Sequence, residues 1–220
     1  MSLFCIVTVF FITLVGWAQP TFALSPIVIE ELLADPPNGL AGDANHDGVR
    51  HPSEDEFVEL LNVAGVAMDL SGWTLWDPAQ PRHQFEDGLA LAAGDRVVVF
   101  GGGLPTGIPG LAFTASSGGL GLNNTGDELF LRDIHGTLID HVLYGSEGNF
   151  DQSLTRQPSG TGPFQRHTQV STIGLRFSPG TDADGQRRQS ALAIPEPLGL
   201  GWLAVGLAWW PLRRRSSPGQ

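Results

Sequence analysis

Apolar residues along this chain follow two patterns. Near each end they run unbroken, over residues 4–17 and 198–212, without a charge in either run. Between the ends they come in short bursts separated by Gly, Pro, Asn and Asp. Six bursts have strand character, at 27–33, 56–62, 73–76, 96–100, 128–132 and 137–144. Alternation is clearest in the last two, where Leu129 and Leu131 share a face, opposed by Leu138 or Ile139 and by Val142 or Tyr144. Asp133-Ile134-His135-Gly136 between them has hairpin-turn chemistry. No segment sustains a 3.6-residue apolar period. Many short strands joined by turns predict an all-β sandwich or barrel for the middle of the chain.

One burst, Glu56-Phe57-Val58-Glu59-Leu60, does not alternate cleanly. Either Val58 faces the core with Glu56 and Leu60, or Phe57 does with Glu59 and Leu61. The second is preferred, with Phe57 and Leu61 partly covered by loops. Trp73 and Trp76 lie three apart, so on a strand they point to opposite faces. Trp73 is expected in the core and Trp76 near the surface.

The ends read as addresses. Residues 1–23 have the form of a secretory signal peptide, with small residues before a cut after Ala23, although no Lys or Arg precedes the apolar run. A short membrane anchor is the alternative. Cys5, the sole cysteine, lies in this segment, so the exported chain would carry neither thiol nor disulfide. At the other end Pro195-Glu196-Pro197 precedes the apolar run 198–212, and Arg213, Arg214 and Arg215 follow it. Fifteen apolar residues cover about 22 Å as a helix, short of a ~30 Å hydrocarbon core. The three Arg would stay cytoplasmic. This order of parts resembles the PEP-CTERM sorting signal. The resemblance implies recognition of Pro-Glu-Pro by an exosortase-type transpeptidase, transient or permanent membrane anchoring, and transfer to the cell surface.

The sharpest chemical signal is Asp43-Ala44-Asn45-His46-Asp47-Gly48-Val49-Arg50-His51-Pro52-Ser53-Glu54, which satisfies the calcium-loop template D-x-[DN]-x-[DN]-G-x5-E. Ca2+ takes six to eight oxygens. Asp43, Asn45 and Asp47 would supply side-chain oxygens, Gly48 the sharp turn, the Val49 carbonyl a further ligand and Glu54 a bidentate close. No helix follows Glu54, so Asp55 or Glu56 could close the set instead. A solvated Asx-turn loop is the alternative, because Asp, Asn and Gly also favour turns.

The middle of the chain also resembles a known family. Glu56-Phe57-Val58-Glu59-Leu60 and Asp69-Leu70-Ser71-Gly72-Trp73-Thr74-Leu75 look like the opening of a lamin-tail domain. Gly126-Asp127-Glu128-Leu129-Phe130-Leu131 and Gly136-Thr137-Leu138-Ile139-Asp140, ending in Tyr144-Gly145, resemble its closing hairpin. Gln152-Ser153-Leu154-Thr155-Arg156 and Ser178-Pro179-Gly180-Thr181 resemble a loop and terminal turn of bacterial members. The resemblance implies an immunoglobulin-like β-sandwich over residues 24–181 acting as a binding or structural module. A linker over 182–193 and the sorting segment 194–220 would follow.

Composition narrows the function. All 12 basic residues are Arg, against 23 acidic ones, a net charge of -11. Trimming both ends would leave the body more acidic still. Nucleic acid, which attracts clustered Lys and Arg, is not an expected partner. The six His (46, 51, 83, 135, 141, 167) are scattered, without HExxH or HxH spacing. The glycine runs at 101–103 and 118–119 have no phosphate-loop context. Asp140 and His141 adjoin on a strand and face opposite ways. The expectation is therefore an exported, non-enzymatic surface module with a calcium-stiffened loop, meeting extracellular polymer or a surface protein. A secreted hydrolase of nuclease or glycosidase type is the alternative.

Overall fold

The computed structural model describes residues 25–187; the expected signal peptide and sorting segment lie outside the described residues. The strands are β1 (Ile27–Leu33), β2 (Phe57–Asn62), β3 (Met68–Asp69), β4 (Thr74–Trp76), β5 (Pro81–Gln84), β6 (Ala90–Leu91), β7 (Arg96–Phe100), β8 (Leu111–Thr114), β9 (Asp127–Arg132), β10 (Leu138–Tyr144), β11 (Leu154–Arg156) and β12 (Phe164–Arg166). A single helical turn, α1 (His167–Val170), follows. They form a six-stranded sheet ordered β12-β11-β1-β2-β7-β8, a four-stranded sheet ordered β10-β9-β4-β5, and the short pair β3-β6. Pairing is antiparallel except for β7 with β8, whose parallel register requires a crossover over residues 101–110.

The main core lies between the two larger sheets. Ile29, Val58, Leu60, Val97 and Val99 of one sheet pack with Leu75, Leu129, Leu131, Val142 and Tyr144 of the other, and Trp73 joins them. Each fully buried aliphatic or Phe side chain contributes about 1.5–3 kcal/mol relative to exposure. Val58 and Leu60 thus face the sandwich core. Phe57 faces the opposite way, into a second cluster with Leu33, Ala44, Val98 and Phe100, against which Phe177 packs. The strand is therefore turned opposite to the preferred expectation: Val58 and Leu60, not Phe57, face the sandwich core, and Phe57 lies under the outer connections. Alternation fails in this strand because both faces are covered.

A register shift between Ile29 and Glu31 puts an extra residue into β1. The Ile29 N–H donates instead to Asp140 Oδ2 of β10, at 2.7 Å. Arg156 clamps the same place, donating from Nε to the Ile29 carbonyl (2.7 Å) and from its second amino group to Asp140 (3.1 Å). Asp140 and Arg156 therefore bolt the two sheets together. His141 points away from Asp140, toward Glu128 on the outer side, at 2.6 Å.

The outer layer over the six-stranded sheet is made of connections. Glu31 accepts from Ser153 Oγ (2.7 Å), Ser178 N–H (2.9 Å) and Ser178 Oγ (2.8 Å), while Glu59 accepts from Gly180 N–H (2.6 Å). The terminal turn 178–181 is thereby clamped onto β1 and β2. Residues 182–187, expected as the start of a linker, are instead held to this body. Asp184 accepts from Thr172 N–H (2.6 Å) and Thr172 Oγ1 (2.8 Å), and Asp182 accepts from Gln186 N–H (2.8 Å).

Candidate functional site

The acidic loop between β1 and β2 is wound by its own side chains. Asp43 Oδ2 accepts from the Gly48 N–H (3.0 Å), Asn45 Oδ1 from Asp47 N–H (3.0 Å), and Asp47 Oδ1 from Val49 N–H (2.9 Å). Gly48, at φ 93°, occupies a region open to glycine and strained for other residues. The three side chains at alternate positions thus each accept from a backbone N–H of the turn, the winding expected of an Asx-turn loop.

A clamp holds this loop from below. Asp55 is fully buried. Its Oδ1 accepts from Ala44 N–H (2.8 Å) and Asn45 N–H (3.1 Å), and its Oδ2 from His51 N–H (2.6 Å). Burial raises its pKa, opposed by these N–H donors and aided by the neighbouring Asp43 charge. Glu56 points elsewhere, accepting from Leu122 N–H at 3.2 Å. Burial pushes its carboxyl up to about 7. Of the three acids considered for closing the loop, Asp55 and Glu56 are committed to other partners.

The loop rests on the β7–β8 crossover. Leu104 N–H donates to Asp47 Oδ2 (3.2 Å), Thr106 N–H to the Asn45 carbonyl (2.9 Å), and Asn45 Nδ2 to the Gly102 carbonyl (3.2 Å). Gly101, Gly102 and Gly103 are what permit this approach. A Cβ on Gly101 would meet the Ser53 carbonyl, one on Gly102 the Glu54 side chain, and one on Gly103 the Asn45 and Asp47 side chains. Local pattern marks this glycine run only as a connection; its position directly after the apolar strand 96–100 is the one sequence signal of its role.

Two observations bear on a cation. Asp43 Oδ1 is buried with no hydrogen-bond partner, a costly condition for a carboxylate oxygen. Among the described residues, no group of three or more His, Cys, Asp or Glu side chains is gathered so as to hold a metal. The donor chemistry of Asp43, Asn45, Asp47 and the Val49 carbonyl fits Ca2+. Glu54, beside Gly102, is not drawn in with Asp43 and Asp47.

His135 is exposed in the β9–β10 turn. His167 is buried, with Nδ1 at 2.9 Å from the Leu175 carbonyl and Nε2 at 2.9 Å from Ser178 Oγ. The sorting residues Pro195, Glu196, Pro197, Arg213, Arg214 and Arg215 lie outside the described residues. Among those described, no helix is long and apolar enough to cross a membrane.

Two facing sheets with their core between them define an immunoglobulin-like β-sandwich. The Lamin Tail Domain family model matches residues 20–146, more than half of the chain, and the chain belongs to that family. The match ends before β11 and β12, yet these strands complete the six-stranded sheet beside β1. No curated protein matches the chain.

Proposed function

We propose that this protein is an exported, non-enzymatic surface module, delivered by an exosortase-type system and engaged in adhesion to extracellular polymer or a surface protein. The observation that carries the reading is the tail itself. Pro195-Glu196-Pro197, an uncharged apolar run and Arg213-Arg214-Arg215 occur in that order, behind a lamin-tail sandwich. The Pro-Glu-Pro triplet would be the processing site, and the three Arg the cytoplasmic stop during membrane passage.

Ca2+ would be held by Asp43, Asn45, Asp47, the Val49 carbonyl and Glu54, which must turn toward Asp43 to close the set. The ion would supply no reaction chemistry. It would neutralise Asp43 and Asp47 and fix the 43–54 segment against the crossover. Extracellular modules bind Ca2+ with Kd of about 10⁻⁴–10⁻³ M. At one to ten times Kd the linkage adds roughly 0.4–1.4 kcal/mol. The ion would stiffen an existing fold, because Asp55 already holds the loop.

Deletion of 195–220 tests the address. Envelope fractionation of the producing cell should find the full chain with the surface and the truncated chain in the medium or periplasm. Retention of the truncated chain at the surface would overturn the sorting assignment.

A further inference from the structure

The outer face of the four-stranded sheet carries rings in one register row. Trp76 of β4 is the cross-strand partner of Phe130 of β9, which in turn faces His141 of β10. The Phe130 and His141 rings are stacked, with centroids 4.8 Å apart and planes 18° from parallel. Trp76 Nε1 donates to Thr74 Oγ1 at 2.8 Å, which fixes the indole. Toward Trp76, a concavity of about 470 Å³ is lined by Trp76, Asp77, Pro78, Phe130 and Arg132. That lies within the ~300–1,000 Å³ typical of small-molecule sites. The Arg132 guanidinium lies 5.6 Å from the Phe130 centroid and donates to the Gly136 carbonyl at 3.1 Å.

We propose that this concavity binds carbohydrate, with Trp76 and Phe130 as stacking walls, Arg132 as a hydrogen-bond donor to hydroxyls, and a neutral hexose polymer as the ligand. The C–H face of a pyranose matches the negative face of an aromatic ring, and its equatorial hydroxyls need donors and acceptors at the rim. Both are present here. The charges also favour a neutral ligand. Asp77 is paired with Arg82 and also accepts from the Ala79 and Gln80 N–H groups, and Glu128 is paired with His141. The patch is thus nearly balanced on a chain of net charge -11, whose field repels anionic polymers. A protein partner is disfavoured because interfaces are depleted of Asp and Glu, whereas Asp77 lines the concavity and Glu128 pairs with the stacked His141. A fixed indole also lowers the ordering cost of binding. The proposal names a ligand class for the adhesion reading and rests on that reading only for where the ligand is met.

The test is a depletion assay with the full 220-residue chain in mild detergent, against insoluble cellulose, chitin and β-1,3-glucan, with alginate as the anionic comparison. Retention on at least one neutral glycan is expected, weakened tenfold or more by Trp76→Ala and by Phe130→Ala. It should survive Trp76→Phe, which keeps a ring, and Val66→Ser, an exposed change elsewhere. Matching melting temperatures of Trp76→Ala and Trp76→Phe separate loss of the wall from loss of the fold. No retention on any neutral glycan, retention on alginate alone, or equal retention by Trp76→Ala would overturn the proposal. Self-association that Trp76→Ala abolishes would also overturn it, by making the face a contact between copies. Surface fractionation with the 195–220 deletion is read separately, so failure of the address and failure of the ligand are distinguishable.

Discussion

Replacing Arg96 by methionine should cost about 3–5 kcal/mol at pH 8, the range for removing one partner of a buried pair. Arg96 is almost fully buried on the outer face of β7. Its Nε lies 2.7 Å from Glu59 Oε1, and a terminal nitrogen lies 3.9 Å from Glu30 Oε1. Glu31, cross-strand partner of Glu59, adds a third carboxyl to the cluster. Burial holds the Glu59 pKa well above the usual carboxylate range, reinforced by the Glu31 charge and opposed by Arg96. Without Arg96 the cluster escapes its repulsion by taking up protons. The penalty should therefore shrink toward pH 5. At about 2–4 °C per kcal/mol for a domain of this size, the melting temperature should fall by roughly 10 °C at pH 8. Thermal melts of wild type and Arg96→Met at both pH values check this. Equal losses at the two would contradict the picture of a repelling carboxylate cluster.

Glu56→Gln should instead stabilise the protein at high pH. Glu56 has its carboxyl pushed up to about 7 from an ordinary 4.5, burial being the main cause. The folded chain then holds a proton that the unfolded chain releases between about pH 4.5 and 7. Stability from this group is present below pH 4.5 and is lost as pH rises through 7. At 1.36 kcal/mol per pKa unit the loss is about 3 kcal/mol by pH 8. Gln keeps an acceptor for the Leu122 N–H and carries no charge, so the variant should be close to wild type at pH 4.5. At pH 8 it should be more stable by about 3 kcal/mol, with a flatter profile. Urea midpoints across pH 4–8 measure it, and parallel profiles for the two proteins would exclude the assignment.

The strands that sequence made legible were those with apolar content on a buried face. Ile27–Leu33 and Arg96–Phe100 were bounded to the residue, and the β9–β10 hairpin within one residue at each strand start. Pro81–Gln84 and Phe164–Arg166 were missed because they are short and polar, defined by their neighbours' hydrogen bonds. Leu111–Thr114 was missed because a parallel edge strand has no turn signal linking it to its partner. The layer of connections outside the six-stranded sheet left only an indirect mark. It is the reason that Phe57, Glu59 and Arg96 can all be buried in strands whose other face is also buried.

The acidic loop was legible as a spacing of oxygens. Its supports were not. Asp55 sits one residue past the template and reads as one acid among several, yet it takes the backbone donors that hold the loop shut. The glycine run 101–103 reads as a flexible connection, although its missing side chains are what let the loop seat. Both roles depend on contacts across the chain that no local pattern encodes. The terminal turn 178–181 was legible only through family resemblance, and its partners Glu31 and Glu59 explain why that turn is part of the fold.

Calcium binding by the 43–54 loop is tested by calorimetric titration of the full chain with millimolar Ca2+, run beside Asp43→Asn and paired with thermal melts. The expected result is heat of binding with Kd of about 10⁻⁴–10⁻³ M, and a small rise in melting temperature that Asp43→Asn removes. No heat and no melting shift, or a shift that Asp43→Asn retains in full, would contradict it.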